Sequence, residues 1–116
     1  MKLVYVAGPY SDPRGFWYSK QNIQKAEEIA VELWQYGFAV ICPHANTAFF
    51  DGAIPYDQFL AGDFEIIRRC DVLVLLPGWE KSKGALKELE HAKICNVKYF
   101  EWPRDKKKLE KLANEC

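Results

Sequence analysis

The sequence predicts one α/β domain, spanning residues 1–116, in which helices flank a small parallel sheet of about four strands. Short apolar segments alternate along the chain with longer segments whose apolar residues recur every three or four positions, a pattern typical of strands alternating with amphipathic helices. The run from Val72 to Leu76 is apolar throughout, as expected for a parallel strand covered on both faces. These observations favour a Rossmann-like (flavodoxin-like) sheet with the first and third strands adjacent in the middle.

The other elements follow from the same patterns and from the residues that interrupt them. Gly and Pro at 8–15 and at 77–78 favour turns and end the first and third strands. Ser19 or Asn22 is placed to cap the first helix, and Gly37 is placed to end it. The predicted elements in chain order are a strand at 2–7, a helix at 21–36, a strand at 38–42, a helix at 56–69, a strand at 72–76, a helix at 85–95, a strand at 97–102 and a helix at 105–114.

Composition restricts the classes of partner. The chain has 116 residues, of which 49% are hydrophobic and 15% aromatic, values that favour a folded protein over a disordered one. The charges of its 16 basic and 16 acidic residues cancel, so the net charge does not favour a nucleic-acid or anionic-membrane partner. No signal peptide and no membrane span of roughly 20 apolar residues is visible. The four cysteines form no CxxC pair, so we expect reduced thiols in a cytoplasmic protein.

The loop after the first strand has the position of a phosphate-binding loop but not the sequence of one. It reads GPYSDPRG, which matches neither the dinucleotide fingerprint GxGxxG nor the P-loop pattern GxxxxGK[ST]. Ser11 and Arg14 could still hold a phosphate, Arg14 through paired N–H donors. The simpler interpretation is an ordinary turn with a solvated arginine, and this loop alone favours that interpretation.

Histidine does not predict a metal site. His44 and Asn46 follow the second strand, where hydrogen bonding within the loop is the simpler role. The only other histidine, His91, lies on the third predicted helix. We therefore predict no metal.

Two carboxylates are candidates for chemistry. Glu88 falls in the first turns of a helix, where the helix dipole favours the ionised form, and an ionised carboxylate can attack a sugar carbon. Asp63 lies in an apolar-periodic helix and could be the second carboxylate that glycosidic chemistry usually needs. The alternatives are that Glu88 pairs with Lys83 or Lys87 at the surface and that Asp63 faces water or caps its helix. Asp71 begins the third strand, opposite the expected cleft, and is expected to be structural.

Several motifs in order resemble one enzyme superfamily. The segments are Val6-Ala7-Gly8, then Asp63-x7-Asp71-Val72-Leu73-Val74, then Ser82-Lys83-Gly84-x3-Glu88-x3-Ala92. Together they resemble the nucleoside 2-deoxyribosyltransferase superfamily, which includes the 2′-deoxynucleoside 5′-monophosphate N-glycosidases and a branch of short bacterial and phage proteins. The resemblance is strongest to that short branch and extends to about residue 99.

The resemblance implies cleavage of the N-glycosidic bond of a 2-deoxyribonucleoside or its 5′-monophosphate, by hydrolysis or base exchange, without a cofactor. By position, Glu88 matches the nucleophile that forms a glycosyl intermediate. Asp63 matches an aspartate that assists proton transfer, and Tyr5 matches a tyrosine near the nucleophile. Ser82 matches a serine that binds the 5′-phosphate. The resemblance further implies a homodimer or higher homo-oligomer.

The candidate substrate-binding residues combine these matches with the two loops. Flat faces for a base could come from Trp79 or from 16–18. The candidates are Gly8, Pro9, Tyr10, Ser11, Arg14, His44, Asn46, Trp79, Ser82 and Gly84. A non-catalytic module that binds or senses a nucleotide on the same fold is the alternative function, and it predicts binding without release of a base.

Overall fold

The computed structural model describes residues 1–43 and 53–115. Its strands form one sheet in which every neighbouring pair is parallel, in the order β2-β1-β3-β4. This arrangement confirms the predicted α/β class and the central position of the first and third strands. The strands are Leu3–Ala7 (β1), Ala39–Ile41 (β2), Val72–Leu75 (β3) and Lys98–Glu101 (β4).

Helices cover both faces of the sheet. A short 3-10 turn, Trp79–Lys81, precedes the third helix. Within residues 1–43 and 53–115, no helix is both long and apolar enough to cross a membrane. The helices are Phe16–Tyr36 (α1), Tyr56–Arg68 (α2), Lys83–Ile94 (α3) and Lys106–Ala113 (α4).

Helix α1 begins five residues earlier than its apolar pattern predicts. Neither Ser19 nor Asn22 caps it, because both lie inside the helix and hydrogen-bond the loop before it. Phe16 is exposed, so the first turn of α1 carries no buried stripe by which the sequence could reveal it. Gly37 ends the helix as predicted, with a left-handed φ of 112° that favours glycine.

Side chains along each strand point alternately to the two faces of the sheet, and this divides the core into two layers. Val4 and Val6 of β1 pack with Leu33 of α1 and with α4 on one face of the sheet. Tyr5 and Ala7 point to the other face, where α2 and α3 pack. Successive side chains of a strand point to opposite faces, so the register of β1 decides which layer receives Tyr5.

Asp71 joins the amino ends of the two central strands. Its Oδ2 accepts a hydrogen bond from Leu3 N at 2.8 Å, and its own N–H donates to Leu3 O at 2.9 Å. This edge lies away from the carboxyl ends of the strands, as predicted for a structural carboxylate.

No disulfide joins the cysteines of the described residues. Cys70 is buried, whereas Cys42 and Cys95 are partly buried, and Cys116 lies outside the described residues. Burial raises the pKa of the Cys70 thiol to about 11, and the Asp71 carboxylate adds to this effect. Cys70 is therefore protonated, and unreactive as a nucleophile, at neutral pH.

A buried carboxylate closes the turn between β4 and α4. Asp105 is only 4% exposed, and its Oδ2 accepts a hydrogen bond from Glu101 N at 2.8 Å. Hydrogen bonds from Arg104 and from this backbone N–H lower the pKa of Asp105 to about 2. The ionised form is therefore favoured in the folded state.

Replacing Asp105 tests this turn. We expect Asp105→Ala to lower the free energy of unfolding by about 1–3 kcal/mol, because Glu101 N loses its acceptor. Asp105→Asn keeps an acceptor oxygen and should cost less. Because the folded pKa lies below the unfolded one, the stability that Asp105 contributes is present above about pH 4 and declines as the pH falls toward 2. Urea denaturation at pH 7 and pH 3 measures both effects, and an alanine variant as stable as the wild type would contradict the assignment.

Candidate active site

A cavity of about 920 Å³ opens at the carboxyl ends of β1 and β3. Its walls come from the loop after β1, the segment between β3 and α3, the first turns of α3, and one face of α2. Ligands of open parallel sheets bind at the carboxyl ends of the strands, because the loops that follow neighbouring strands diverge there and leave a crevice between them.

Glu88 lies in the second turn of α3 and lines the cavity although its side chain is buried. It is 7% exposed, and the hydroxyl of Tyr5, a fully buried residue of β1, donates a hydrogen bond to its Oε2. Burial raises the pKa of Glu88 to about 8; the Tyr5 hydrogen bond opposes this rise and the charge of Asp63 adds to it. Glu88 therefore carries its proton at pH 7 in the free protein.

The expectation that the helix dipole keeps Glu88 ionised is wrong in direction. A helix dipole contributes about 0.3–1 kcal/mol, and its effect falls off within the first turn. Burying a carboxylate away from water costs several kcal/mol. In the second turn of α3, the cost of desolvation exceeds the dipole's contribution.

Asp63 faces the same cavity from α2. It is half-buried, and burial raises its pKa to about 6, while a hydrogen bond from Tyr5 acts in the opposite direction. The preceding Gly62 is exposed and has no neighbouring atom within 4 Å of the position that a Cβ would take. No packing contact in the described residues accounts for glycine at that position.

The Tyr5 hydroxyl links the two carboxyl groups. It donates a hydrogen bond to Glu88 and interacts electrostatically with Asp63, and burial, followed by these two negative groups, raises the Tyr5 pKa well above its usual value. Tyr5 is therefore protonated throughout the range in which the carboxyl groups titrate. The cluster consists of two carboxyls on neighbouring helices and one phenol from the strand beneath them.

Side chains of α1 hold the loop after β1. Ser19 Oγ accepts a hydrogen bond from Asp12 N at 2.9 Å, and Asn22 Nδ2 donates to Tyr10 O at 3.1 Å. At the start of this loop, a Cβ on Gly8 would lie 2.6 Å from Leu76 Cβ. Glycine is therefore required there for β1 and β3 to leave the sheet side by side.

The segment before α3 is fixed at both of its ends. The Trp79 indole donates to Glu101 Oε1 at 3.0 Å, which ties the 3-10 turn to the end of β4. Ser82 is the N-cap of α3, and its Oγ accepts from Ala85 N at 3.2 Å. Lys81 and Lys83 flank Ser82 on the cavity wall, and neither is ion-paired to any described residue.

The structure brings most of the predicted residues together, but not all of them. Arg14 does not line the cavity: it pairs with Asp12, NH2 to Oδ2 at 2.9 Å, and its guanidinium lies 3.8 Å from the Tyr18 ring centroid. Trp79 and the aromatic residues 16–18 also lie outside the lining. His44 and Asn46 lie outside the described residues. Those found at the cavity are Gly8, Pro9, Tyr10, Ser11, Asp63, Ser82, Gly84 and Glu88, with Tyr5 beneath them.

The sequence argument missed the aromatic wall of the cavity. Tyr56, Phe59 and Leu60 line it together with Asp63. Their spacing relative to Asp63 is the i, i+3, i+4, i+7 pattern of one helix face, a signal that was available in the sequence. Among the described residues, no three His, Cys, Asp or Glu side chains gather in a way that could hold a metal ion.

Comparisons with known proteins agree with this fold. A family model described as "Domain of unknown function (DUF4406)" matches residues 2–100. No curated protein sequence matches the chain significantly. The CMP N-glycosidase BcmB of Clostridium botulinum has a similar structure, with a TM-score of 0.57 and 20% identity over 96% of this chain and 98% of that chain. The 2-deoxyribosyltransferase of Bacillus psychrosaccharolyticus has a TM-score of 0.60 and 18% identity over 85% of this chain and 70% of that chain. At these identities, the likeness shows a shared fold.

The buried acid predicts a pH-dependent stability. The folded pKa of Glu88 lies above its unfolded value, so the unfolded chain releases the proton first, and the free energy of unfolding falls as the pH rises from about 4.5 to about 8. Glu88→Gln removes this dependence, and we expect it to stabilise the protein by roughly 3–4 kcal/mol more at pH 8 than at pH 5.

Urea denaturation at the two pH values measures this difference. Glu90→Gln is the matched control, because Glu90 is an exposed residue of the same helix. Equal effects of Glu88→Gln at both pH values would contradict the burial argument.

Proposed function

This chain belongs to the DUF4406 family of domains of unknown function, and from that premise we propose that it is an enzyme that cleaves the N-glycosidic bond of a 2-deoxyribonucleoside or its 5′-monophosphate. The observation that carries the proposal is the pair Glu88 and Asp63, linked through Tyr5 at the cavity floor. The names of the two similar structures, a CMP N-glycosidase and a 2-deoxyribosyltransferase, support this kind of reaction.

In the proposed reaction, the bond between the sugar C1′ and the base nitrogen breaks, and its electrons leave with the base. The sugar carbon becomes positively charged, and ionised Glu88 stabilises that charge and forms an ester bond to C1′. A proton from Asp63 neutralises the departing base. Water or a second base then attacks C1′ and gives up one proton to Asp63, and the ester bond breaks so that Glu88 leaves as a carboxylate; both acids are then as they were before the reaction.

The two carboxyl groups are suited to share one proton for this step. Between about pH 6 and pH 8 the pair holds a single proton, which rests mainly on Glu88 because its pKa is the higher of the two. Moving that proton to Asp63 produces the nucleophile and the acid at once. Tyr5 interacts with both groups, and once its O–H turns from Glu88 to Asp63 the phenol oxygen can accept the proton of Glu88 while the hydroxyl passes its own to Asp63.

The cost of this transfer is modest. Apparent pKa values of about 8 and about 6 make the transferred form roughly one hundredth of the resting form, a free-energy difference of about 3 kcal/mol. A sugar that develops positive charge at C1′ favours ionised Glu88 and offsets part of this cost. A 2-deoxy sugar develops that charge readily, since it lacks the electron-withdrawing hydroxyl.

Other walls of the cavity suit the remaining parts of a nucleotide. The Ser82 hydroxyl, the amino end of α3 and the adjacent Lys81 and Lys83 present donors and positive charge, which favour a 5′-phosphate. Tyr56 and Phe59 present aromatic faces on the α2 side, against which a base can pack.

One observation favours the second candidate function, a non-catalytic nucleotide-binding or sensing module. Glu88 carries its proton at pH 7, so the resting protein holds no ionised nucleophile. A module of this kind would use the same cavity and would release no base.

A chromatographic screen separates these functions. The protein is incubated with each common 2-deoxyribonucleoside, its 5′-monophosphate and CMP, with and without a second free base. We expect base release, and expect Glu88→Gln to reduce it by at least about 10³-fold, because the nucleophile is lost. Release from monophosphates alone would favour a hydrolase that recognises phosphate, and exchange that requires the second base would favour a transferase.

Glu90→Gln serves as the control and should retain the wild-type rate. Retention of that rate by Glu88→Gln would contradict the proposed nucleophile. Saturable binding of a nucleotide with no base release in any mixture would instead favour the sensing module.

The shared proton predicts a bell-shaped pH profile. We expect kcat/KM to rise with an apparent pKa near 6 and to fall with one near 8, because only the singly protonated pair is active. Asp63→Asn should lower kcat/KM by about 10²-fold or more and remove the alkaline fall, since no proton of Glu88 is then needed. Asp57→Asn, an exposed site in the first turn of α2, should leave the profile unchanged. A profile of Asp63→Asn with the wild-type shape would exclude the shared proton.

A further inference from the structure

The polar side chains of the cavity differ between its two ends. The end at α3 carries the Ser82 hydroxyl and the ammonium groups of Lys81 and Lys83, which donate hydrogen bonds. The end formed by the loop after β1 and by α1 carries Asp12 and Asn22. A nucleotide also differs between its ends, because its phosphate accepts hydrogen bonds whereas the edge of its base can donate them.

Arg14 holds the Asp12 carboxylate from outside the cavity. Asp12 Oδ1 accepts hydrogen bonds from Arg14 N at 2.8 Å and from Arg14 Nε at 3.0 Å, and Oδ2 accepts one from Arg14 Nη2 at 2.9 Å. These bonds, chiefly those of the guanidinium, lower the pKa of Asp12, so the carboxylate is ionised at neutral pH. An ionised carboxylate accepts about four hydrogen bonds and donates none, so Oδ2 keeps an acceptor position on the cavity side.

Asn22 adds a second acceptor close to the first. Its Nδ2 donates to Tyr10 O at 3.1 Å, and because only the amino half of a carboxamide donates to a carbonyl, the other half of the group is Oδ1. Within the described part of the chain, Oδ1 accepts no hydrogen bond. Ser19, one turn earlier on α1, bonds Asp12 N, so the loop runs along one side of α1 and Asp12 lies beside Asn22.

The base of a nucleotide in this cavity would lie between these two acceptors and α2. In the proposed function the phosphate lies at the amino end of α3 and C1′ at Glu88, so the remaining walls for the base are α2 and the loop after β1. On α2, Phe59 and Leu60 have no polar side-chain atom with which to bond the edge of a base. Hydrogen bonds to that edge therefore come from the loop side, where Asp12 and Asn22 lie.

We propose that Asp12 and Asn22 select a base that carries an exocyclic amino group, as cytosine and adenine do, over one with a keto oxygen in its place. An amino group has two N–H donors, which match the two acceptors. A keto oxygen only accepts, so it opposes the Asp12 carboxylate and leaves both acceptors unpaired. Arg14 acts through Asp12 as a positioning residue. The inference rests on the placement of the nucleotide in the proposed function, and it applies to an enzyme and to a binding module alike.

Equilibrium binding tests this selection separately from catalysis. The host is Glu88→Gln, which stops the proposed turnover and replaces a neutral carboxyl with an amide. Isothermal titration calorimetry compares dCMP with dUMP and dAMP with dIMP, whose bases differ only in the amino or keto group and the proton on the adjacent ring nitrogen. We expect the amino member of each pair to bind at least about tenfold more tightly. 2-Deoxyribose 5-phosphate, which has no base, measures the rest of the site.

Asp12→Asn in the same host brings an N–H donor that can meet a keto oxygen. We expect it to reduce the preference for dCMP over dUMP at least about fivefold and to leave the affinity for 2-deoxyribose 5-phosphate unchanged. Arg14→Gln should reduce the same preference to a smaller extent, because Asp12 stays acidic but is no longer held. Asp57→Asn, at an exposed position of α2 outside the cavity lining, is the matched control and should change neither quantity.

Equal binding of the amino and keto members of both pairs would overturn the inference, as would the absence of binding by any of these nucleotides. An Asp12→Asn variant that keeps the wild-type preference would also overturn it, and so would one that loses affinity for 2-deoxyribose 5-phosphate as much as for dCMP, since that loss indicates a structural role. If Asp12→Asn does not fold, the two ligand pairs still decide the question. A wild-type protein that releases no base while the amino preference holds would contradict the proposed cleavage alone.

Discussion

The contact between the Tyr5 hydroxyl and the Glu88 carboxyl is the interaction on which the candidate site depends. A polar group buried without a partner costs several kcal/mol, so an acid at this depth requires a hydrogen-bonding neighbour. Tyr5 supplies it from the centre of the sheet. Because the same hydroxyl reaches Asp63, it brings three segments distant in sequence, β1, α2 and α3, to one point and couples the protonation of the two acids.

This contact in turn constrains the sheet. Successive side chains of β1 point to opposite faces of the sheet. Tyr5 therefore faces α2 and α3, whereas Val4 and Val6 pack in the layer of α1 and α4. A register shift of one residue would turn Tyr5 away from Glu88 and place apolar side chains beneath the acid. The pairing of β1 with β3 and the Asp71 bonds to Leu3 oppose such a shift. Packing of the core and chemistry of the site thus rest on the same register.

The two layers of the core contribute different parts of the candidate site. The layer of α2 and α3 carries the acids and the aromatic wall, and its loops are held by local bonds such as that between Trp79 and Glu101. The layer of α1 and α4 holds the first loop in place through Ser19 and Asn22, and Asn22 also lines the cavity.

The sequence by itself determined the class of fold, the order of its elements and the central place of β1 and β3, because periodicity and turn residues are local signals. The motifs also marked Glu88 and Asp63. Only the tertiary structure decided that Arg14 lies outside the cavity and that Tyr56 takes the part of the cavity wall expected of Trp79. It also decided that Glu88 holds its proton, against the expectation from its place in the helix. The lining of a cavity and the exposure of a side chain to water depend on segments far apart in the chain, and a desolvation cost arises only when those segments pack together.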